Sequence, residues 1–169
     1  MTLEEAIRTA LEYEGRVQDV YTEAQRVATN QVGQRVFRFL AAEEKRHVEY
    51  LQYKLQQWRD TGQVTAEGLD TATPSPEAIS AGVQKLENRL AAEDRGAEIE
   101  MLEKALKVEI ETSNFYRRMV DEMDADARPL FARFVEIEEG HQAIVKAEID
   151  SLNGAGFWFD MPEFHLEGE

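Results

Sequence analysis

The sequence predicts an all-α fold, a four-helix bundle with one long crossover between its second and third main helices. Three observations carry this reading. Apolar residues recur three or four positions apart along four long stretches. The longest break in that periodicity, rich in Pro, Gly, Ser and Thr, lies between the second and third of them. The last two stretches also repeat the pattern of the first two.

From Thr2 to about Asn30, the residues Leu3, Ile7, Leu11, Val17, Tyr21, Ala24 and Ala28 form a helical stripe with a single gap, filled by Glu14. A carboxylate on a core-facing stripe is costly unless its charge is compensated. Gly15 beside it is expected to allow a close approach. The second helix is predicted from about Gln31 to Asp60, stopping at Thr61-Gly62. Its stripe runs Val32, Val36, Leu40, then Glu44 and His47, then Leu51, Leu55 and Trp58. Glu43, Lys45, Arg46 and Glu49 fall off that line and read as solvated charges.

Residues 63–76 read as the crossover, with Ser75 capping and Pro76 opening a weakly amphipathic helical segment through Ile79, Val83, Leu86 and Leu90. The pattern leaves open whether that segment stops near Gly96 or runs on. The third main helix carries Ile99, Leu102, Leu106, Glu109, Ser113, Tyr116 and Met123. The fourth opens at Pro129, carries Leu130, Phe134, Glu138, His141, Val145 and Ile149, and ends near Asn153-Gly154. The organisation expected is a bundle over residues 1–154 and an aromatic tail over 155–169, the tail packing on the bundle or on a second subunit.

Composition narrows the chemistry. With 169 residues and 43% hydrophobic content, a single domain can bury a core without staples. Cys is absent, which excludes disulfides, thiolate catalysis and Cys-ligated metal modules within these residues. A net charge of −15 argues against nucleic acid as partner. No apolar run is long enough to span a membrane, and the opening Met-Thr-Leu-Glu-Glu lacks a signal layout, so a cytoplasmic location is expected.

Glu44-Lys45-Arg46-His47 and Glu138-Glu139-Gly140-His141 are both Glu-x-x-His. Three helical residues turn through about 300° and rise about 4.5 Å, so the carboxylate and imidazole share a face. Glu14 and Glu109 hold matching places in the other two stripes, each followed seven residues later by a tyrosine, Tyr21 or Tyr116. The intervals from Glu14 to Glu44 and from Glu109 to Glu138 differ by a single residue. Four carboxylates brought together inside a bundle could not all stay ionised unaided, because like charges raise each other's pKa. Two divalent cations would neutralise them, and oxygen-rich ligation with two imidazoles suits Fe or Mn, with Zn as a substitute. Glu14, Glu44, His47, Glu109, Glu138 and His141 are therefore the candidate metal ligands. Tyr21 and Tyr116 are candidates for supporting them, or core aromatics with a hydrogen-bonded hydroxyl.

At these residues the sequence resembles the rubrerythrin-like branch of the ferritin-like superfamily, in which two helices each give a Glu and two each give Glu-x-x-His. The resemblance covers about Thr2 to Gly154 and implies a ferritin-like bundle around two bridged Fe ions. By that carry-over Glu44 and Glu138 bridge the irons and are the catalytic pair, Glu14 and Glu109 are terminal, and His47 and His141 each cap one iron. It implies iron-dependent chemistry of O2 or peroxide: Fe2+ oxidation, or peroxide reduction with an external electron donor, in a homodimer. An iron-binding or storage protein without turnover, and a metal-free helical interaction module, are the alternatives. Two departures stand out. A Cys-free chain cannot build the rubredoxin domain of rubrerythrins proper. Thr112 also stands where they carry an extra Glu one turn after the third-helix ligand, which argues against their peroxidase chemistry.

Overall fold

The computed structural model describes residues 1–86, 96–154 and 158–161. Among them it holds five helices and no strand: α1 (Leu3–Val27), α2 (Gln31–Thr61), α3 (Pro76–Leu86), α4 (Gly96–Glu122) and α5 (Arg128–Gly154). Residues 87–95, where the sequence pattern left a helix boundary open, lie outside the described residues.

Local chemistry sets the ends of the helices. Thr2 and Glu5 form a reciprocal capping box at the start of α1. Asn30, expected in the first helix, instead caps α2, its side-chain oxygen accepting from the Val32 and Gly33 N–H groups. The short turn this makes turns α2 back antiparallel to α1. Gly62, left-handed at φ 69°, closes α2 where the sequence predicted a stop. The Ser75 hydroxyl accepts from the Ala78 N–H at the start of α3, and the Asp124 carboxylate accepts from Asp126 and Ala127 ahead of α5.

Helix α1 packs on α2, α4 on α5, and α1 on α4, while α3 lies against α5. The apolar core is divided in two. One cluster joins Val17, Tyr21, Val36, Phe37, Leu102, Ile144 and their neighbours. The other joins Ile7, Ala10, Leu51, Phe115, Met119, Phe131 and their neighbours. The crossover climbs from the second, where Val64 and Leu69 are buried, to the first, where Ile79 is buried. Glu14, Glu44, Glu109 and Glu138 occupy the layer between the clusters in sequence on all four long helices.

Two expectations fail. A Cβ on Gly15 would meet nothing within 4 Å, so no close approach occurs there. Glu43 is fully buried rather than solvated, while Lys45, Arg46 and Glu49 are exposed. The described part of the tail packs on the bundle: Trp158 and Phe159 are buried. The Trp158 indole donates to Glu98 Oε2 at 2.9 Å, and its ring lies 2.7 Å from where a Cβ on Gly33 would be. Glu98 Oε1 also accepts the Asn30 N–H at 3.0 Å, which ties the tail to the α1–α2 turn through α4.

Candidate metal centre

All six sequence-predicted ligands meet in the middle layer, each at most 1% exposed. Glu14 comes from α1, Glu44 and His47 from α2, Glu109 from α4, and Glu138 and His141 from α5. They fall into two overlapping groups whose donor atoms lie within 4.8 Å of one another: Glu14, Glu44, His47 and Glu138, and Glu44, Glu109, Glu138 and His141. Glu44 and Glu138 belong to both groups.

The imidazoles face inward through Nδ1. His47 Nδ1 lies 3.1 Å from Glu14 Oε2, 3.2 Å from Glu44 Oε2 and 3.6 Å from Glu138 Oε1. His141 Nδ1 lies 2.7 Å from Glu44 Oε1, 3.7 Å from Glu109 Oε1 and 3.9 Å from Glu138 Oε2. Each nitrogen is thus surrounded by carboxylates from three helices. The two rings stack at 5.4 Å with 14° between their planes, and Phe134 closes against the His47 edge.

The tyrosines cross over. The Tyr21 hydroxyl, from α1, donates to Glu109 on α4, and the Tyr116 hydroxyl, from α4, donates to Glu14 on α1. Such reciprocal bonds require α1 and α4 to run antiparallel. Both hydroxyls are pushed well above their ordinary pKa, by burial and then by the carboxylate each one faces, so they stay protonated donors.

Electrostatics mark the cage as strained toward neutrality. Burial, reinforced by Glu14 and the other acids, raises Glu44 and Glu138 well above the usual carboxylate range. Burial also raises Glu109 to about 7, against the opposing influence of the neighbouring Glu138 carboxyl and of the Tyr21 hydroxyl that donates to it. Glu14 goes the other way: burial opposes it, but the charge and hydrogen bond of His47, with the hydrogen bonds of Glu44 and Tyr116, carry it below the ordinary value. Burial holds His141 well below its ordinary value, helped by His47 and Arg46. Among the described residues no lysine or arginine pairs with any of these four carboxylates.

The donor set fits a pair of divalent cations. Glu44 Oε1, Glu109 Oε2, both Glu138 oxygens and His141 Nδ1 are buried without a hydrogen-bond partner, although Glu44 Oε1 and His141 Nδ1 are only 2.7 Å apart. Atoms that converge without hydrogen-bond alignment are arranged toward a common point, which is how ligands stand around an ion. A family model described as rubrerythrin matches residues 2–149.

The chain belongs to the rubrerythrin family.

No curated protein and no solved structure gives a match. The rubrerythrin assignment agrees with the all-α, ferritin-like bundle and with a buried carboxylate and histidine cluster able to hold metal. Among the described residues no helix is long and apolar enough to cross a membrane.

Sequence reasoning missed one residue at this rubrerythrin site. Glu43 stands within 4.8 Å of donor atoms of His47 and His141, with the Arg46 guanidinium against its Oε1 and the Thr71 hydroxyl donating to its Oε2 at 2.5 Å. Helical periodicity sends position 43 off the core stripe. It is buried because the crossover covers that side of α2, and periodicity carries no signal of a covering loop.

Proposed function

We propose that this rubrerythrin-family chain is a non-haem di-iron carboxylate protein acting in iron-dependent redox chemistry of O2 or peroxide. The observation that supports it most is the pair of overlapping donor groups with Glu44 and Glu138 in common. In this reading Glu44 and Glu138, which belong to both groups, would help hold both ions and would form the catalytic pair. Glu14 with His47 would complete one position and Glu109 with His141 the other. Iron bound there would supply two adjacent one-electron redox centres that also polarise a bound oxidant.

The chain's own groups set the conditions for that chemistry. Burial and the flanking Tyr116–Phe134 stack, at 4.6 Å, exclude bulk water from the cage. Tyr21 and Tyr116 orient Glu109 and Glu14 by donating to them, so each carboxylate presents its other oxygen to the centre. Glu44 and Glu138, raised by burial, give up protons as metal enters. Thr112 is buried and its hydroxyl donates to the Val108 carbonyl at 2.8 Å, so a neutral side chain occupies the position of the extra rubrerythrin Glu. That favours Fe2+ oxidation over peroxide reduction by carboxylate switching. An external electron donor, a homodimeric assembly and a cytoplasmic setting complete the proposal.

Anaerobic Fe2+ titration of the apo protein tests it, beside a Glu44→Ala, Glu138→Ala double variant. The expected result is uptake of about two irons per chain, lost in the variant. No tight uptake, or equal uptake by both proteins, would refute a di-iron centre. Mixing the loaded protein with O2 or peroxide should then oxidise Fe2+ faster than free Fe2+ in the same buffer. Equal rates would leave a binding protein.

A further inference from the structure

His47 and His141 both turn Nδ1 toward the carboxylates, and both bury Nε2 without a partner. A neutral imidazole that gives Nδ1 to a metal carries its proton on Nε2. Left alone in an apolar surrounding, each such buried N–H is unfavourable. Ligand histidines accordingly donate this proton to a carboxylate, a carbonyl or water. Beyond the four cage acids, Glu43 is the carboxylate grouped with these two rings among the described residues.

We propose that Glu43 is a positioning residue for both histidines: its buried carboxylate receives the Nε2–H of His47 and of His141, and fixes both rings with Nδ1 toward the metals. This rests on the two-metal reading above. The geometry allows one acid to serve two rings, because they are stacked nearly parallel at 5.4 Å. The capacity is also sufficient. A carboxylate offers about four lone-pair sites. Arg46 and Thr71 occupy two and a longer 3.4 Å bond from Thr73 a third, so both imidazoles are received once the long Thr73 bond gives way. Arg46 balances the charge of Glu43, which leaves the two-cation neutralisation of the cage undisturbed.

The fold supports the assignment in a second way. The residue before Glu138 is Ile137, so the second Glu-x-x-His has no counterpart of Glu43. One acid on one side of the pseudo-symmetric centre must serve both rings. Thr71 and Thr73 hold that acid from the crossover, and Thr73 is seated tightly on α5, its Cγ2 2.8 Å from where a Cβ on Gly140 would be. The crossover thereby braces the metal centre through Glu43.

The test uses Zn2+ as a diamagnetic probe, with wild type, E43Q and T71V. Competition against a chromogenic chelator gives affinity, and long-range 1H–15N spectra of the Zn2+-loaded proteins report the imidazole protons. In wild type, both Nε2–H protons should be strongly deshielded and slow to exchange. E43Q should still take two Zn2+, but with affinity weakened about 10–100-fold and with both Nε2–H signals displaced. T71V should leave those signals in place. Wild-type Nε2–H protons that exchange freely would overturn the proposal without any variant. So would E43Q with wild-type affinity and signals, or T71V matching E43Q in both readouts. Failure of wild type to bind two Zn2+ would remove the two-metal reading, and this inference with it.

Discussion

Replacing Glu109 by Gln should make the metal-free protein more stable, and by an amount that grows with pH. Glu109 is fully buried and its carboxyl is raised from 4.5 to about 7, chiefly by burial. Between those values the folded state holds a proton that the unfolded chain has released, so wild-type stability falls as pH rises through the window. Below pH 4.5 both states are protonated and nothing is lost; above about 7 the loss is complete. At about 1.4 kcal/mol for each pH unit in which the states differ by one proton, the window is worth roughly 3 kcal/mol. Gln keeps the shape, accepts the Tyr21 hydroxyl through its carbonyl, and offers its amide to Glu138, so the neutral side chain escapes that loss. Urea unfolding of both proteins from pH 4.5 to 8, with a chelator present, measures the difference. The E109Q advantage should widen toward high pH and reverse once metal is added, because an amide is a poor ligand. An advantage that is flat across the window, or widens toward acid, would refute the electrostatic account of the cage.

Removing the crossed hydroxyls should also destabilise the apo protein, and unequally. Y116F strips a donor from Glu14, held below the ordinary range and therefore charged, and should cost about 1.5–3 kcal/mol at neutral pH; Y21F strips one from Glu109, which is partly protonated there, and should cost less. Equal losses in urea unfolding would contradict the opposed shifts of the two acids. G33A should push the Trp158 ring from its seat, at a cost of about 1–3 kcal/mol, and shift its fluorescence to the red in a W58F background; an unmoved spectrum would show that the ring tolerates the Cβ. N30A should lose about 1 kcal/mol by uncapping α2, read by thermal unfolding, and a neutral result would place the cap's work elsewhere.

The bundle and its six inward-facing polar residues were legible because each interrupts an otherwise apolar stripe, and the interruptions recur in matching register. Periodicity reports which residues share a helix face, and a cage built from four such faces follows from it. It does not report what lies across a gap in sequence. The crossed bonds of Tyr21 and Tyr116 depend on the antiparallel run of α1 and α4, which no local pattern encodes. Glu98 is buried because the Asn30 N–H and the Trp158 indole reach it from distant segments. Glu43 is buried because the crossover folds over it, and its only local trace is Arg46 one turn away. Gly15, taken as a point of close approach, turned out to face open space; a glycine in a helix marks permission, and a neighbour must still arrive.

The exchange of hydroxyls between α1 and α4 has a consequence for how the two halves depend on each other. Each half carries a carboxylate whose donor belongs to the other half, so neither helix pair is self-sufficient. A separated α1–α2 hairpin would expose Glu14 without its donor and Tyr21 without its acceptor. It could recover both by pairing antiparallel with a second copy of itself about a two-fold axis, since Tyr21 and Glu14 already sit two turns apart on one face. The repeat in the chain is therefore written in a form that a symmetric pair of identical hairpins could also satisfy, with each half of this chain holding the other's missing part.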